Sequence, residues 1–249
     1  MKIGVLGNLS RIKKVETVQE IIAFLRGCGH ETVQFFSDKD VDGVDVVLVL
    51  GGDGAILHAA AAAAQKNIKI VGINYGHLGF LTEYEKGERE RVQELLVALE
   101  KGTCRIVKRS LLEVTVNGET YYALNEISVQ RDCGLLSENS PQILRLKIEA
   151  KEGVDVIAGD GLIVCTPTGS TAYSLSAGGA ILTPEVPVIM MTPICAFSMR
   201  ARPIVFSDTD EFKISVEKGK STVLADGKIV AALPEGGRLT IKKATFTAD

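Results

Sequence analysis

The chain has 249 residues, of which 46% are hydrophobic and 24% charged, and 28 basic residues stand against 31 acidic ones for a formal net charge of −3. That length supports one large domain or two of ordinary size, each able to bury a core, and two are expected here. The composition is that of a soluble globular protein; it excludes a disordered polyelectrolyte and carries no chain-wide basic footprint for nucleic acid.

The start, "MKIGVLGNLS", has one basic residue and a short apolar run but no long h-region or small-residue cleavage site, so it reads as a first strand rather than a signal peptide. From Met1 to about Lys101 the pattern alternates in type. Apolar "KIGVLGN" is followed by amphipathic "KKVETVQEIIAFLRGCG", extended "HETVQFF", apolar "VDVVLVL", Ala-rich "AILHAAAAAAQ", apolar "IKIVGIN" and helical "ERERVQELLVALEKG". Short apolar runs alternating with helical periods predict βαβ units and a parallel sheet. Gly27 and Gly29 are placed to end the first helix and Gly102 the last.

From about Thr103 the texture changes. "CRIVKRSLLEVTVNGETYYALNEISVQ" alternates with period two around Asn117-Gly118, a hairpin signal. "QILRLKIEAKEG", "GLIVCTP", "RPIVFS", "EFKISVEKG", "STVLADGKIVAAL" and "RLTIKKATF" continue in that style. Strands at short intervals with few helical periods predict a second, mostly antiparallel β domain, which puts the boundary near Gly102, with domains at 1–102 and 103–249. Cys28, Cys104, Cys133, Cys165 and Cys195 are scattered without CxxC spacing and are expected as free thiols in a reducing compartment. No run approaches the roughly 20 apolar residues of a membrane span, so a cytoplasmic location is expected, with no membrane and no nucleic acid as partner.

Four stretches carry chemistry. In "VVLVLGGDGAILHAA" the turn Gly51-Gly52-Asp53-Gly54 follows a strand ending at Leu50 and precedes a helix expected to start near Ala55. Backbone N–H groups and a helix N-terminus then meet at one spot, which favours an anion and makes Gly51, Gly52 and Gly54 candidate phosphate-binding residues. The turn is neither GxGxxG nor the lysine-bearing P-loop. Asp53 has two readings: it caps the helix, or it serves as a general base or cation-organising group.

The second stretch, "GDGLIVCTPTGSTAYSLSAGG", crowds Thr166, Thr168, Ser170, Thr171, Tyr173, Ser174 and Ser176 beside Gly169, Gly178 and Gly179. Hydroxyls, exposed amides and an aromatic edge suit a ribose, an adenine and a phosphate; the competing reading is a Ser/Thr-rich loop capping a helix that starts near Ser174. The third is "ALNEISV", with Asn125-Glu126 inside a strand-like run, where an amide beside a carboxylate can read an adenine edge and ribose hydroxyls. The fourth is "GINYGHLGFL", a second Gly-rich strand end with Phe80 available to stack, or an ordinary turn. His58, one helical turn after Gly54, can reach the same ligand or serve structurally. Lys13, Lys14, Lys108 and Arg109 read as solvated surface.

Taken together these stretches resemble one family, the NAD kinases. The GGDG turn, the Asn-Glu pair and "DGLIVCTPTGSTAYSLSAGG" occur in that family's order and approximate spacing, and "TPICAFSMRARPIV" and "LADGK" look like its later segments. The resemblance implies an N-terminal Rossmann-like α/β domain, a C-terminal β-sandwich, and an active site in the cleft between them. It implies phosphorylation of the 2′-hydroxyl of the adenosine ribose of NAD to give NADP, with ATP or, as a variant donor, another NTP or polyphosphate, and with Mg²⁺ or a similar divalent cation.

Asp53 corresponds to the family's acid, base or acceptor for the ribose hydroxyl, with Gly54 beside it. Asn125 and Glu126 match the pair that holds the NAD adenosine, and Asp160, Thr171, Ala172, Tyr173 and Ser176 match nucleotide-contacting positions, with Ser174 in the same run. The resemblance also implies a homodimer or homotetramer, with part of this group acting across a subunit interface. The chain departs from the family pattern at Ala55, Ala158, Phe197 and Lys228, and the segment after Asp249 is short or absent. A lipid or sphingoid-base kinase shares the GGDG turn without the TPTGSTAYSLSAGG run, and a non-catalytic NAD(P) sensor would keep the pocket and lack turnover.

Overall fold

The computed structural model describes residues 1–7, 15–75, 79–132, 143–151 and 153–249. They form two compact units, 1–108 together with 248–249, and 109–247. Lys13, Lys14, Cys133 and the Gly76–Leu78 part of the second Gly-rich strand end lie outside the described residues.

In the first unit, β1 (Lys2–Gly7), β2 (Glu31–Phe35), β3 (Val46–Gly51), β4 (Lys69–Asn74) and the two-residue β5 (Tyr84–Glu85) form a parallel sheet in the order β2-β1-β3-β4-β5. The helices are α1 (Val15–Gly27), α2 (Asp53–Gln65) and α3 (Arg89–Glu100). A parallel strand covered on both faces must be apolar throughout, and Val46 through Leu50 are all fully buried. Val46, Leu48 and Leu50 join the core beneath α1 and α3, with Val18, Ile22, Leu25 and Leu96. Val47 and Val49 face the opposite way, onto Ile56, Ala59 and Ala63 of α2. The alanines of α2 make its close approach to the sheet possible because they add no bulk beyond Cβ. Gly29 and Gly102 follow α1 and α3 with φ of 89° and 65°, the left-handed turn that ends a helix.

The second unit is a β-sandwich of two antiparallel six-stranded sheets. Its strands are β6 (Arg109–Val116), β7 (Glu119–Ala123), β8 (Glu126–Arg131), β9 (Leu144–Ala150), β10 (Gly153–Gly159), β11 (Gly161–Cys165), β12 (Val188–Ile194), β13 (Ile204–Ser207), β14 (Phe212–Lys218), β15 (Ser221–Ala225), β16 (Lys228–Leu233) and β17 (Arg238–Ala248). One sheet runs β10-β9-β14-β17-β6-β7 and the other β13-β12-β11-β8-β15-β16. Their inner faces share one core built from Val114, Leu146, Phe212 and Ile241 on one side and Ile127, Val129, Leu162 and Val223 on the other. Asn117-Gly118 closes β6 to β7 with φ of 52° and 82°, and Asp226-Gly227 closes β15 to β16 with φ of 46° and 75°. Positive φ at both central residues is the hairpin turn that matches strand twist, and Asn-Gly and Asp-Gly are the dipeptides that adopt it readily.

Besides the two-residue β5, two strands of the second unit escape the sequence pattern. β10 is an edge strand exposed over its first four residues, and β12 is apolar from Val188 to Met191 and continues through Thr192 and Pro193 to Ile194. No described helix is long and apolar enough to cross a membrane.

Candidate functional site

The glycine turn is tighter than the sequence pattern predicts. α2 begins at Asp53, two residues before the expected Ala55, so Gly54 lies in the first helical turn and Gly52 is the N-cap residue. No side chain caps the helix, and the capping reading of Asp53 is therefore corrected. Its carboxylate turns to a neighbouring segment instead. The backbone N–H of Phe80 donates to Oδ2 at 2.8 Å and that of Leu81 to Oδ1 at 3.0 Å. The β3 end is equally close-fitted, since a Cβ on Gly51 would sit 2.8 Å from that of Ala55, and Gly51 accepts the Tyr75 N–H through its carbonyl. Gly52 has open space around it, with room for an incoming group over the helix N-terminus. Phe80 leaves its ring 79% exposed. His58 lies half-buried one turn along α2.

In the second unit the Asn-Glu pair sits at a corner rather than inside a strand, which corrects the expectation. Asn125 occupies the bend between β7 and β8, and Glu126 opens β8. The corner is held by Asp226 of the β15–β16 turn. Its Oδ2 accepts the Leu124 N–H at 2.7 Å, and its Oδ1 accepts those of Asn125 at 2.8 Å and Glu126 at 3.1 Å. Asp226 was not singled out from the sequence as a site residue; the signal available was its Asp-Gly turn. Burial pushes its pKa up, while the three backbone N–H bonds and Lys228 pull the other way. Lys228, a departure from the family pattern, therefore bears electrostatically on this corner.

Glu126 is buried, and its Oε2 has no hydrogen-bond partner. Desolvation first, and the Asp226 charge second, raise its pKa to about 7, with the Tyr173 N–H opposing. A carboxyl at that value exchanges between donor and acceptor near neutrality, which suits sugar hydroxyls and the adenine edge alike.

The hydroxyl-rich run divides into inward and outward groups. A short 3-10 turn (Thr168–Thr171) leads into the single-turn α4 (Tyr173–Ser176), which begins one residue before the expected Ser174. Thr166, Thr168, Ser170 and Ser174 are buried. Thr166 donates to the Leu124 carbonyl, Ser170 to that of Pro167, and Ser174 pairs with Thr192 at 2.8 Å. The Ser174 hydroxyl, expected near nucleotide, thus points into the fold. Arg109, read from the sequence as solvated surface, is half-buried and donates to Thr168 Oγ1.

Thr171 and Ala172 are half-exposed, and Tyr173 and Ser176 face solvent. Tyr173 lies within electrostatic range of Glu126 and Asp160, both of which raise its pKa behind the leading effect of burial. Asp160, in the bend between β10 and β11, pairs with Arg131 at 3.0 Å. Gly169 is required by close approach, since a Cβ there would lie 2.1 Å from the Asn125 carbonyl oxygen. The second unit thus brings Asn125, Glu126, Asp160 and Tyr173 into one neighbourhood. Ala158 and Phe197, two further departures, are joined by a hydrogen bond from the Phe197 N–H to the Ala158 carbonyl, and the Phe197 ring is exposed.

Buried Cys165 is pushed up to about 11 by desolvation and carries no reactive thiolate; Cys28, Cys104 and Cys195 are also free thiols. Among the described residues no three His, Cys, Asp or Glu side chains come together as a cation site.

A parallel α/β unit with an acid in its glycine turn, followed by a β-sandwich whose corner sets half-buried Asn125 beside buried Glu126, defines a two-unit nucleotide-binding protein. Residues 4–128 match the ATP-NAD kinase N-terminal domain and residues 124–249 the ATP-NAD kinase C-terminal domain. The NAD kinase of Methanothermobacter thermautotrophicus is 34% identical over 244 residues, covering 92% of this chain and 83% of the relative. That of Moorella thermoacetica is 35% identical over 273 residues, covering 99% and 83%. The chain belongs to the NAD kinase family, whose members are enzymes that phosphorylate NAD.

Among solved structures, an NAD kinase from Archaeoglobus fulgidus in complex with ATP superposes with a TM-score of 0.78 at 29% identity, covering 100% of this chain and 92% of that one. Yeast NADH kinase complexed with NADH gives a TM-score of 0.84 at 23% identity, covering 98% and 78%, a likeness of fold.

Proposed function

We propose that this chain transfers the γ-phosphoryl group of ATP to the 2′-hydroxyl of the adenosine ribose of NAD, releasing NADP and ADP. The observation that carries the reading is the Asp53 carboxylate, fixed by two backbone N–H bonds in the first turn of α2. Each carboxylate oxygen has about two acceptor sites. One on each is used by Phe80 or Leu81, and the rest accept a sugar hydroxyl.

In the reaction a bond forms from the ribose O2′ to Pγ, and the bond from Pγ to the β,γ-bridging oxygen breaks, its electrons leaving with ADP. The hydroxyl proton passes to Asp53 as the nucleophile commits. Phosphoryl transfer depends mainly on alignment and charge stabilisation, so an acceptor of fixed direction is what this chemistry asks of the protein.

The phosphates are assigned to the backbone at Gly51, Gly52 and Gly54, where the helix N-terminus favours an anion, and Phe80 and His58 to the flank of the NAD site. Asn125 and Glu126 hold the adenosine, with Asp160, Thr171, Ala172, Tyr173 and Ser176 around it, and the unpartnered Glu126 Oε2 supports that assignment. On this reading a divalent cation such as Mg²⁺ would arrive with ATP and supply neutralisation of phosphate charge. The same reading makes the enzyme a cytoplasmic homodimer or homotetramer.

Purified chain incubated with NAD, ATP and Mg²⁺ is expected to form NADP, detected by an NADP-specific dehydrogenase. NAD binding without product would replace the kinase with a sensor, and neither binding nor product would turn the GGDG turn towards a lipid substrate. Repeating the assay with polyphosphate, other NTPs and NADH defines donor and acceptor range.

A further inference from the structure

We infer that the segment Gly79–Phe80–Leu81 is the positioning device for Asp53, and that Gly79 is a glycine because the carboxylate lies directly against it. The inference rests on the reading of Asp53 as the acceptor for the ribose hydroxyl. Both Asp53 oxygens bond this segment, through N–H groups of consecutive residues. A Cβ on Gly79 would lie 2.1 Å from Asp53 Oδ1, 2.6 Å from Cγ and 2.9 Å from Oδ2, so the carboxylate occupies the space that a side chain at position 79 would need. Backbone conformation does not demand glycine here, since the φ of Gly79 lies outside the left-handed region, unlike that of Gly87 at 102°. Space alone demands it.

The segment is itself fixed to the sheet by a second close approach. A Cβ on Gly72 of β4 would meet Ile56 Cδ1 at 2.5 Å, Thr82 Cα at 3.1 Å and the Leu81 carbonyl oxygen at 3.3 Å. The Glu83 N–H donates to the Gly72 carbonyl at 3.1 Å, and Leu81 packs on the core that includes Ile56. The Phe80 side chain, by contrast, is exposed. One glycine therefore seats the strand of chain on β4, the other seats Asp53 on the chain, and two N–H bonds set the direction of the carboxylate before any ligand arrives. Orientation established in advance is what lowers the barrier for a group that must meet a hydroxyl in line with a phosphorus.

The test is a cycle of Gly79→Ala, Asp53→Asn and the double variant. An alanine Cβ displaces the carboxylate or its donors by close to an ångström, so kcat is expected to fall about 100-fold, with KM for NAD and ATP within about threefold and the melting temperature preserved. In the Asp53→Asn background Gly79→Ala is expected to change residual turnover less than about twofold, because the group it aims is gone. Wild-type kcat in Gly79→Ala, or losses that multiply in the double variant, overturns the inference. Wild-type kcat in Asp53→Asn overturns instead the role given to Asp53, so the two failures are distinct. If Gly79→Ala does not fold, replacing the Phe80 amide by an ester removes one donor without bulk; about a tenfold drop in kcat is then expected, and none overturns the inference.

Discussion

Asp53 in the first unit and Asp226 in the second both accept hydrogen bonds from consecutive backbone N–H groups, with opposite consequences. Asp53 takes two, one on each oxygen, from residues 80 and 81, and keeps acceptor capacity. Asp226 takes three from residues 124 to 126, and its carboxyl is desolvated. In the first case the backbone aims the acid. In the second the acid shapes the backbone, fixing the corner that carries Asn125 and Glu126. A carboxylate bonded to backbone is therefore not in itself a sign of chemistry; the direction of control decides.

The largest expected effect tests the first half of that contrast. Asp53→Asn is expected to reduce kcat by roughly 10²–10⁴ in the coupled NADP assay, the range for a lost proton acceptor, while NAD binding by calorimetry persists. The substitution also turns an amide NH₂ towards a backbone N–H, so local loosening at Phe80 or Leu81 should appear as faster amide exchange there.

Asp226→Ala tests the second half. Three N–H groups lose a charged acceptor, which is expected to cost about 2–4 kcal/mol in denaturant unfolding and to raise KM for NAD, with Asp226→Asn recovering part of both through its remaining oxygen. Unchanged stability and KM would remove Asp226 from the scaffold role.

Glu126→Gln probes the corner by pH. The folded pKa of Glu126, about 7, lies above the ordinary 4.5, so the native state binds more protons than the unfolded state between those values. Stability from this group is therefore present at low pH and is lost as pH rises through about 4.5 to 7, by up to about 3 kcal/mol. The glutamine variant should lose that slope, measured as urea midpoints at pH 5 and pH 8, and an identical slope would mean the carboxyl is solvated.

The smallest effect is expected for Ser174→Ala, which removes the buried bond to Thr192: about 1 kcal/mol of stability with kcat and KM unaltered. A rise in KM for NAD would show instead that the hydroxyl meets nucleotide.

Much of this was legible in the sequence. The apolar run Val46–Leu50, the Gly29 and Gly102 helix ends and the Asn117-Gly118 turn are local signals, because backbone sterics and burial on both faces act at the residues themselves. β10 and β12 were not legible, since β10 is exposed over its first four residues and β12 opens on an apolar run without alternation. In the site, GGDG and the Asn-Glu pair announced themselves, but the inward use of Thr166, Ser170 and Ser174 did not: a hydroxyl reads the same whether its partner is a ligand or a carbonyl of its own chain. Gly79 was visible only as one glycine among several in "GINYGHLGFL".

The sequence by itself determined the two-part architecture, the glycine-bracketed acid and membership of the NAD kinase family, because periodicity, turn chemistry and motif order are properties of neighbours along the chain. Only the tertiary structure decided which groups hold which. The Gly79–Leu81 segment meets Asp53 across 27 and 28 residues, and Asp226 meets the Asn125–Glu126 corner across about a hundred. Hydrogen bonds at 3 Å and a contact with no room for a methyl group depend on where the folded backbone brings distant residues, and no local pattern encodes that distance.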